Sequence, residues 1–173
     1  MNISRGIGLL TAVLVFLVDQ ISKYVVTGTL GLSYPGAQME LLPFFDLRYV
    51  ENIGVSLGLL EATSDMMRWG LVALTAAIAI GVGFWMWREK KTGDIVALGL
   101  VLGGALGNIL DRTRLGFVVD FADLHFGAWR PFLVFNVADA AITIGVVILL
   151  VRALFLRDKD TVERPQVENE VNA

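Results

Sequence analysis

Apolar positions along this chain do not alternate; they come in long blocks, and the charges sit between the blocks. From Trp69 to Trp87 no residue is charged, Arg68 and Arg88 bracket the run, and tryptophans stand near both ends, where membrane interfaces favour them. This pattern predicts a transmembrane helix over about residues 68–88. Gly6 to Val18 is likewise uncharged, and helical spacing continues through Asp19 and Lys23, so a span is expected over residues 6–26. Ile95 to Leu110 is shorter and predicts a span over 94–111 that recruits flanking residues or sits in thinned bilayer. The fourth block, Pro131 to Val151, carries Asp139 as its only charge, and a span is expected over 137–156.

Arg5 followed by an apolar run also fits a cleaved secretory signal, but no convincing small-residue cleavage site follows. The expected architecture is an all-α membrane protein of four transmembrane helices. One domain covers residues 1–156, with outer connectors at 27–67 and 112–136. The connectors contain "FDLRYVEN" (Phe45 to Asn52) and "FVVDFADLHF" (Phe117 to Phe126), whose partial alternation and aromatic content predict short strands in a small extracytoplasmic β element.

Composition supports the membrane reading: 55% of the 173 residues are hydrophobic and 18% charged. Charge then gives direction. Arg88, Lys90 and Lys91, with Arg152, Arg157, Lys159 and Arg164 in the tail, place these segments and both termini on the cytoplasmic side. Arg48, Arg112, Arg114 and Arg130 fall on the other side and weaken the bias. The net charge of -3 owes much to the acidic tail, 157–173, expected to be disordered. No basic stripe with interleaved aromatics supports nucleic-acid binding, and the absence of cysteine removes disulfides and thiolate chemistry.

Polar residues within or beside the spans carry the chemistry. Asp19 and Lys23, four apart on one helical face, read as a structural ion pair. Gly99, Gly103 and Gly107, with Gly104 on the adjoining ridge, form a small-residue seam that needs no chemistry. That seam leads to Asn108, Asp111 and Arg112, a cluster that packing alone does not require. Asn136 can cap the fourth helix with Asp139 in its first turn, yet capping leaves Asp120, lodged in "FVVDFA", without a role. If Asp120 lies near the start of that helix, the two carboxyls can share one proton and act as acid and base on water and an amide. The only histidine, His125, is too little for a triad or a zinc site and is expected at the surface. A proton relay through Asp19, Asn108 and Asp139 and a non-catalytic scaffold are the competing classes.

With "DQISK", "VENIGVSLGLL", "LGGALGNILDR", "GFVVDF" and "FNVADAAITIG" in order, the chain resembles the lipoprotein signal peptidases, bacterial membrane aspartyl proteases of four spans. The resemblance implies that Asp120 and Asp139 are catalytic. By the same token Asn52, Gly54, Gly104, Asn108, Asp111, Arg112 and Asn136 would bind substrate or support the site. It implies diacylglyceryl-modified prolipoproteins as substrates, cut before the lipidated cysteine; membrane lipids and globomycin-like inhibitors as partners; no cofactor or metal; and a bacterial inner membrane location with the site at the extracytoplasmic face. After Asn52 the family often has Thr-Gly-Ala-Ala-Phe, where this chain has Ile53, Gly54, Val55, Ser56 and Leu57.

Overall fold

A computed structural model describes residues 3–54 and 65–155; the expected tail and Val55, Ser56 and Leu57 lie outside the described residues. Four long helices, α1 (Ile3–Tyr24), α2 (Asp65–Arg88), α3 (Thr92–Leu115) and α4 (Val137–Phe155), are joined by strands β1 (Gln38–Leu42), β2 (Phe45–Asn52) and β3 (Val118–Leu124). Each helix is long and apolar enough to cross a bilayer. Large apolar side chains stand exposed along α1, α2 and α4, including Leu14, Ile21, Ile78, Phe84, Leu150 and Leu154. So broad an apolar surface suits lipid rather than water. The chain is a multi-pass membrane protein.

α3 is the axis of the bundle, touching the other three helices, and its glycines set the distances. A Cβ on Gly99 would lie 2.6 Å from the Gly8 carbonyl oxygen of α1, and one on Gly104 would lie 2.5 Å from the Ala138 carbonyl oxygen of α4. Gly107 faces the Asp19 carboxylate, and Gly145 of α4 returns the close approach against Ala97. The seam therefore works on two faces, one ridge for α1 and the other for α4.

The third span is longer than its uncharged run suggested. It has 24 residues and carries Asp111, Arg112 and Arg114 inside the helix, so no thinned bilayer is needed. An isolated acid is costly in a span, and Asp111 is paired with Lys23 at 2.7 Å. α1 ends at Tyr24 and passes into a π-helical segment, Val25–Thr29.

The sheet is antiparallel with order β1-β2-β3. β2 occupies the expected Phe45–Asn52, and β3 lies within Phe117 to Phe126. β1, "QMELL", was not expected: it lacks β-branched and aromatic residues and exists as an edge paired to β2 through Gln38 and Arg48. Val26, Leu32, Leu47, Tyr49, Val119 and Phe121 form a core beneath the sheet, and Val137 at the start of α4 packs against it. This core fixes β3 against the ends of α1 and α4. His125 is not a free surface residue. It is half-buried, with Nε2 3.1 Å from an oxygen of the buried Asp46, because the turn after β3 folds back and its N–H bonds the Phe44 carbonyl.

Candidate active site

β3 delivers Asp120 and the first turn of α4 delivers Asp139, and Asn136 joins them. The Asn136 Nδ2 donates to Asp120 Oδ1 at 2.6 Å. Its Oδ1 accepts the Asp139 backbone N–H at 2.9 Å, while Asp139 Oδ2 accepts the Asn136 N–H at 3.4 Å. That reciprocal pair is a capping box. The capping role expected from sequence is therefore present, and the same amide also reaches the second acid.

A second amide completes the bridge. Asn108 of α3 donates from Nδ2 to Asp139 Oδ1 at 2.8 Å, and its Oδ1 accepts from Asn136 Nδ2 at 3.3 Å and from Lys23 Nζ at 3.4 Å. With its oxygen held by those donors, Asn108 can offer Asp139 only its N–H. Lys23 in turn lies 2.8 Å from Asp19 and 2.7 Å from Asp111, all three being buried. The Asp19–Lys23 pair is thus one arm of a triad. Gln20 donates to both acids at 3.1 Å, the Ala138 N–H at the start of α4 donates to Asp19 Oδ1 at 3.0 Å, and the Val119 N–H donates to Asp111 Oδ2 at 3.2 Å. These backbone donors offset the surplus negative charge. They also fasten α4 and β3, the two carriers of the acids, to α1 and α3.

On the other side of Asp120, Asn52 donates from Nδ2 to Oδ2 at 2.9 Å. The Asn52 Oδ1 accepts the Gly54 N–H at 2.9 Å, so the turn sets which end of the amide faces the acid. Gly54 has φ +88, and a Cβ there would lie 2.5 Å from Leu71 Cδ1. Arg112 lines the same cavity; its Nε is buried without a partner among the described residues. Arg68 of α2 holds the end of α3 in place, donating to the Arg112 carbonyl at 2.7 Å and the Thr113 carbonyl at 2.5 Å.

Asp120 is 2% exposed. Burial, and then the neighbouring Asp139 charge, push its carboxyl up to about 7, against the opposing pull of hydrogen bonds from Asn52 and Asn136 and the charge of Lys23. Asp120 opens into a cavity of about 830 Å³ beside Asn52, Gly54, Arg112, Arg48 and Arg130. Asp139 lines a separate apolar groove of about 260 Å³ on the α4 surface, with Ala140, Thr143 and Ile144. Phe132 and Leu133 border both.

Of the residues singled out from sequence, Asp120, Asp139, Asn52, Asn108 and Asn136 meet in one hydrogen-bonded set. Gly54 and Arg112 adjoin it, and Asp111 supports it through Lys23 and Val119. Gly104 lies deeper, as a packing residue against α4. Sequence reasoning missed Gln20, Arg48, Arg130, Phe132 and Leu133; the amphipathic "WRPFL" just before Asn136 is the signal that could have flagged the last three. Among the described residues no group of three or more Asp, Glu or His surrounds a metal position.

Four membrane-length helices with two acids held by amides at the sheet end define a membrane protein with a paired-carboxyl site. The sequence profile of Signal peptidase (SPase) II matches residues 11–155. A lipoprotein signal peptidase of Rhizorhabdus wittichii is 60% identical over 157 residues, covering 91% of each chain. One of Sphingopyxis alaskensis is 55% identical over 152 residues, covering 88% of this chain and 87% of the relative. A bacterial membrane enzyme of known structure superposes with a TM-score of 0.76 at 30% identity, covering 92% of this chain and 94% of that one. The chain belongs to the signal peptidase II family, aspartic peptidases that remove signal peptides from prolipoproteins.

Proposed function

We propose that this chain cuts diacylglyceryl-modified prolipoproteins just before the lipidated cysteine, with Asp120 and Asp139 activating water. The observation that carries this reading is Asn136, whose side-chain nitrogen bonds the Asp120 carboxyl while its backbone N–H bonds the Asp139 carboxyl and its side-chain oxygen caps the Asp139 N–H. Asp120, protonated near neutral pH, gives its proton to the scissile carbonyl oxygen, and Asp139 takes a proton from the attacking water. The tetrahedral adduct then collapses: Asp139 returns its proton to the departing cysteine nitrogen, and the adduct hydroxyl returns one to Asp120. No covalent enzyme intermediate forms.

The division of the site between a polar cavity and an apolar groove supports the substrate assignment. A signal peptide and a diacylglyceryl group are apolar and belong in lipid, while the mature chain is polar. Globomycin-like inhibitors would occupy the same junction. The Lys and Arg pattern supports a bacterial inner membrane location with both termini cytoplasmic, the sheet and the acids extracytoplasmic, and residues 1–156 as the protease domain.

The test follows conversion of a diacylglyceryl-modified prolipoprotein in detergent by wild type, Asp120→Asn and Asp139→Asn. Each variant is expected to lose at least about 100-fold in kcat/KM. Processing retained by either folded variant would remove that acid from the reaction.

A further inference from the structure

The cavity beside Asp120 carries two arginines that water activation does not use. Arg48 of β2 and Arg130 of the loop before α4 line its wall, and both converge on Asp123, which is completely buried. Arg130 donates from Nε to the two Asp123 oxygens at 3.2 and 3.1 Å. Arg48 Nη1 stands 3.8 Å from the same carboxylate. One carboxylate cannot neutralise two guanidiniums. Glu51, which with Asp120 supplies the acids lining the cavity, is exposed and accepts the Tyr49 hydroxyl at 3.2 Å.

A purely structural account, stapling the loop to the sheet, needs Arg130 alone. At 3.8 Å and with its side chain 42% exposed, Arg48 adds little to such a staple. It does leave a positive wall on the cavity that opens onto Asp120. We infer that Arg48 and Arg130 form a subsite for the mature side of the substrate, selecting an acidic residue a few positions after the cleaved bond. This rests on the signal peptidase reading and adds a preference to it.

Strand geometry sets which positions are meant. Val50 pairs with Asp120 across the sheet, and Arg48 is two residues further along β2, within the stretch between Leu47 and Val50 where the register shifts, so it lies at most about 7 Å away at roughly 3.3 Å per residue. An extended substrate advances by the same increment. The acid would therefore lie at about the second to fourth residue after the cut, the lipidated cysteine being the first.

The experiment uses three diacylglyceryl-modified prolipoproteins that differ only in carrying Asp, Asn or Lys at those positions, cleaved by the full-length enzyme in nanodiscs of neutral lipid. Wild type is expected to rank them Asp, Asn, Lys, with about a three- to five-fold step between the first two, expressed in KM and shrinking at high salt. Arg48→Gln and Arg130→Gln should collapse that step, and Arg48→Glu should reverse the order. Removing Arg130 strands the buried Asp123 charge; if melting shows that variant to be unfolded, the two Arg48 variants decide alone. Equal cleavage of all three by wild type, or a ranking that survives Arg48→Gln, overturns the subsite and leaves the peptidase reading intact. Failure of wild type to cleave any of them overturns the peptidase reading itself. Doping the nanodiscs with phosphatidylglycerol separates a lipid phosphate from a peptide acid: a rise in KM for all three substrates that Arg48→Gln abolishes would assign the arginines to the headgroup and overturn the proposal.

Discussion

Asn136 meets three obligations with one side chain: its oxygen caps α4, its nitrogen holds Asp120, and through the same nitrogen it touches Asn108. Asn136→Asp keeps a cap but places a third carboxyl between two others, whereas Asn136→Ala removes all three contacts. Activity is expected to fall at least about 100-fold in either, with Asn136→Ala also melting lower, since losing a cap costs about 1 kcal/mol. The Asp120 carboxyl adds a pH dependence. Its folded-state value of about 7 lies above the ordinary 3.8, so the folded protein binds the extra proton between those limits. Its contribution to stability is thus greatest at low pH and declines as pH rises toward 7. Asp120→Asn should therefore melt higher than wild type at pH 8, and the gap should close by pH 5. The wild-type pH–rate profile should lose kcat/KM on the alkaline side with an apparent pKa near 7, a value that belongs to the coupled pair.

Among the elements, α3 and its neighbours show how far sequence patterns reach. Uncharged runs located all four helices because a bilayer demands length and apolarity, and alternation located β2 and β3. Alternation failed for β1, whose formation depends on the partner strand rather than its own residues. The third helix recruits flanking residues at both ends of its uncharged run; only the fold shows that Lys23, from a helix far away in sequence, neutralises the Asp111 it takes in. The same limit applies to the site. The types and order of Asp120, Asn136 and Asp139 were legible, but their convergence depends on the start of α4 being fastened through the Ala138 N–H to Asp19 of α1, a long-range bond with no sequence period. Lys23→Met should strand both buried acids and destabilise the protein by about 3–5 kcal/mol, measured by unfolding in detergent. Gly104→Val should push α4 off α3, lowering melting temperature and turnover together, whereas a change at Gly81, where a Cβ meets nothing within 4 Å, should be neutral for both.

At the scale of the whole molecule, the two ends of the bundle differ in kind. The sheet end holds the acids and the cavity, while at the opposite end Arg152 of α4 is paired with Asp94 of α3, and Glu89 accepts the N–H groups of Lys90 and Lys91. The chain contains no cysteine, so single cysteines report sidedness without background. In intact spheroplasts a membrane-impermeant maleimide is expected to label Tyr34→Cys and to leave Lys90→Cys unlabelled until the membrane is opened. The reverse pattern would place the acids in the cytoplasm.

The close fit of Gly104 and Gly145 across α3 and α4 bears on how the protein is made. α4 leaves the ribosome after the other three described helices, and it brings Asp139, the Asn136 cap and the backbone N–H that steadies Asp19. Until it docks, α3 has one flank unclasped and Asp120 lacks its opposite number. Under the proposed mechanism a nascent chain is therefore catalytically mute until α4 closes the bundle.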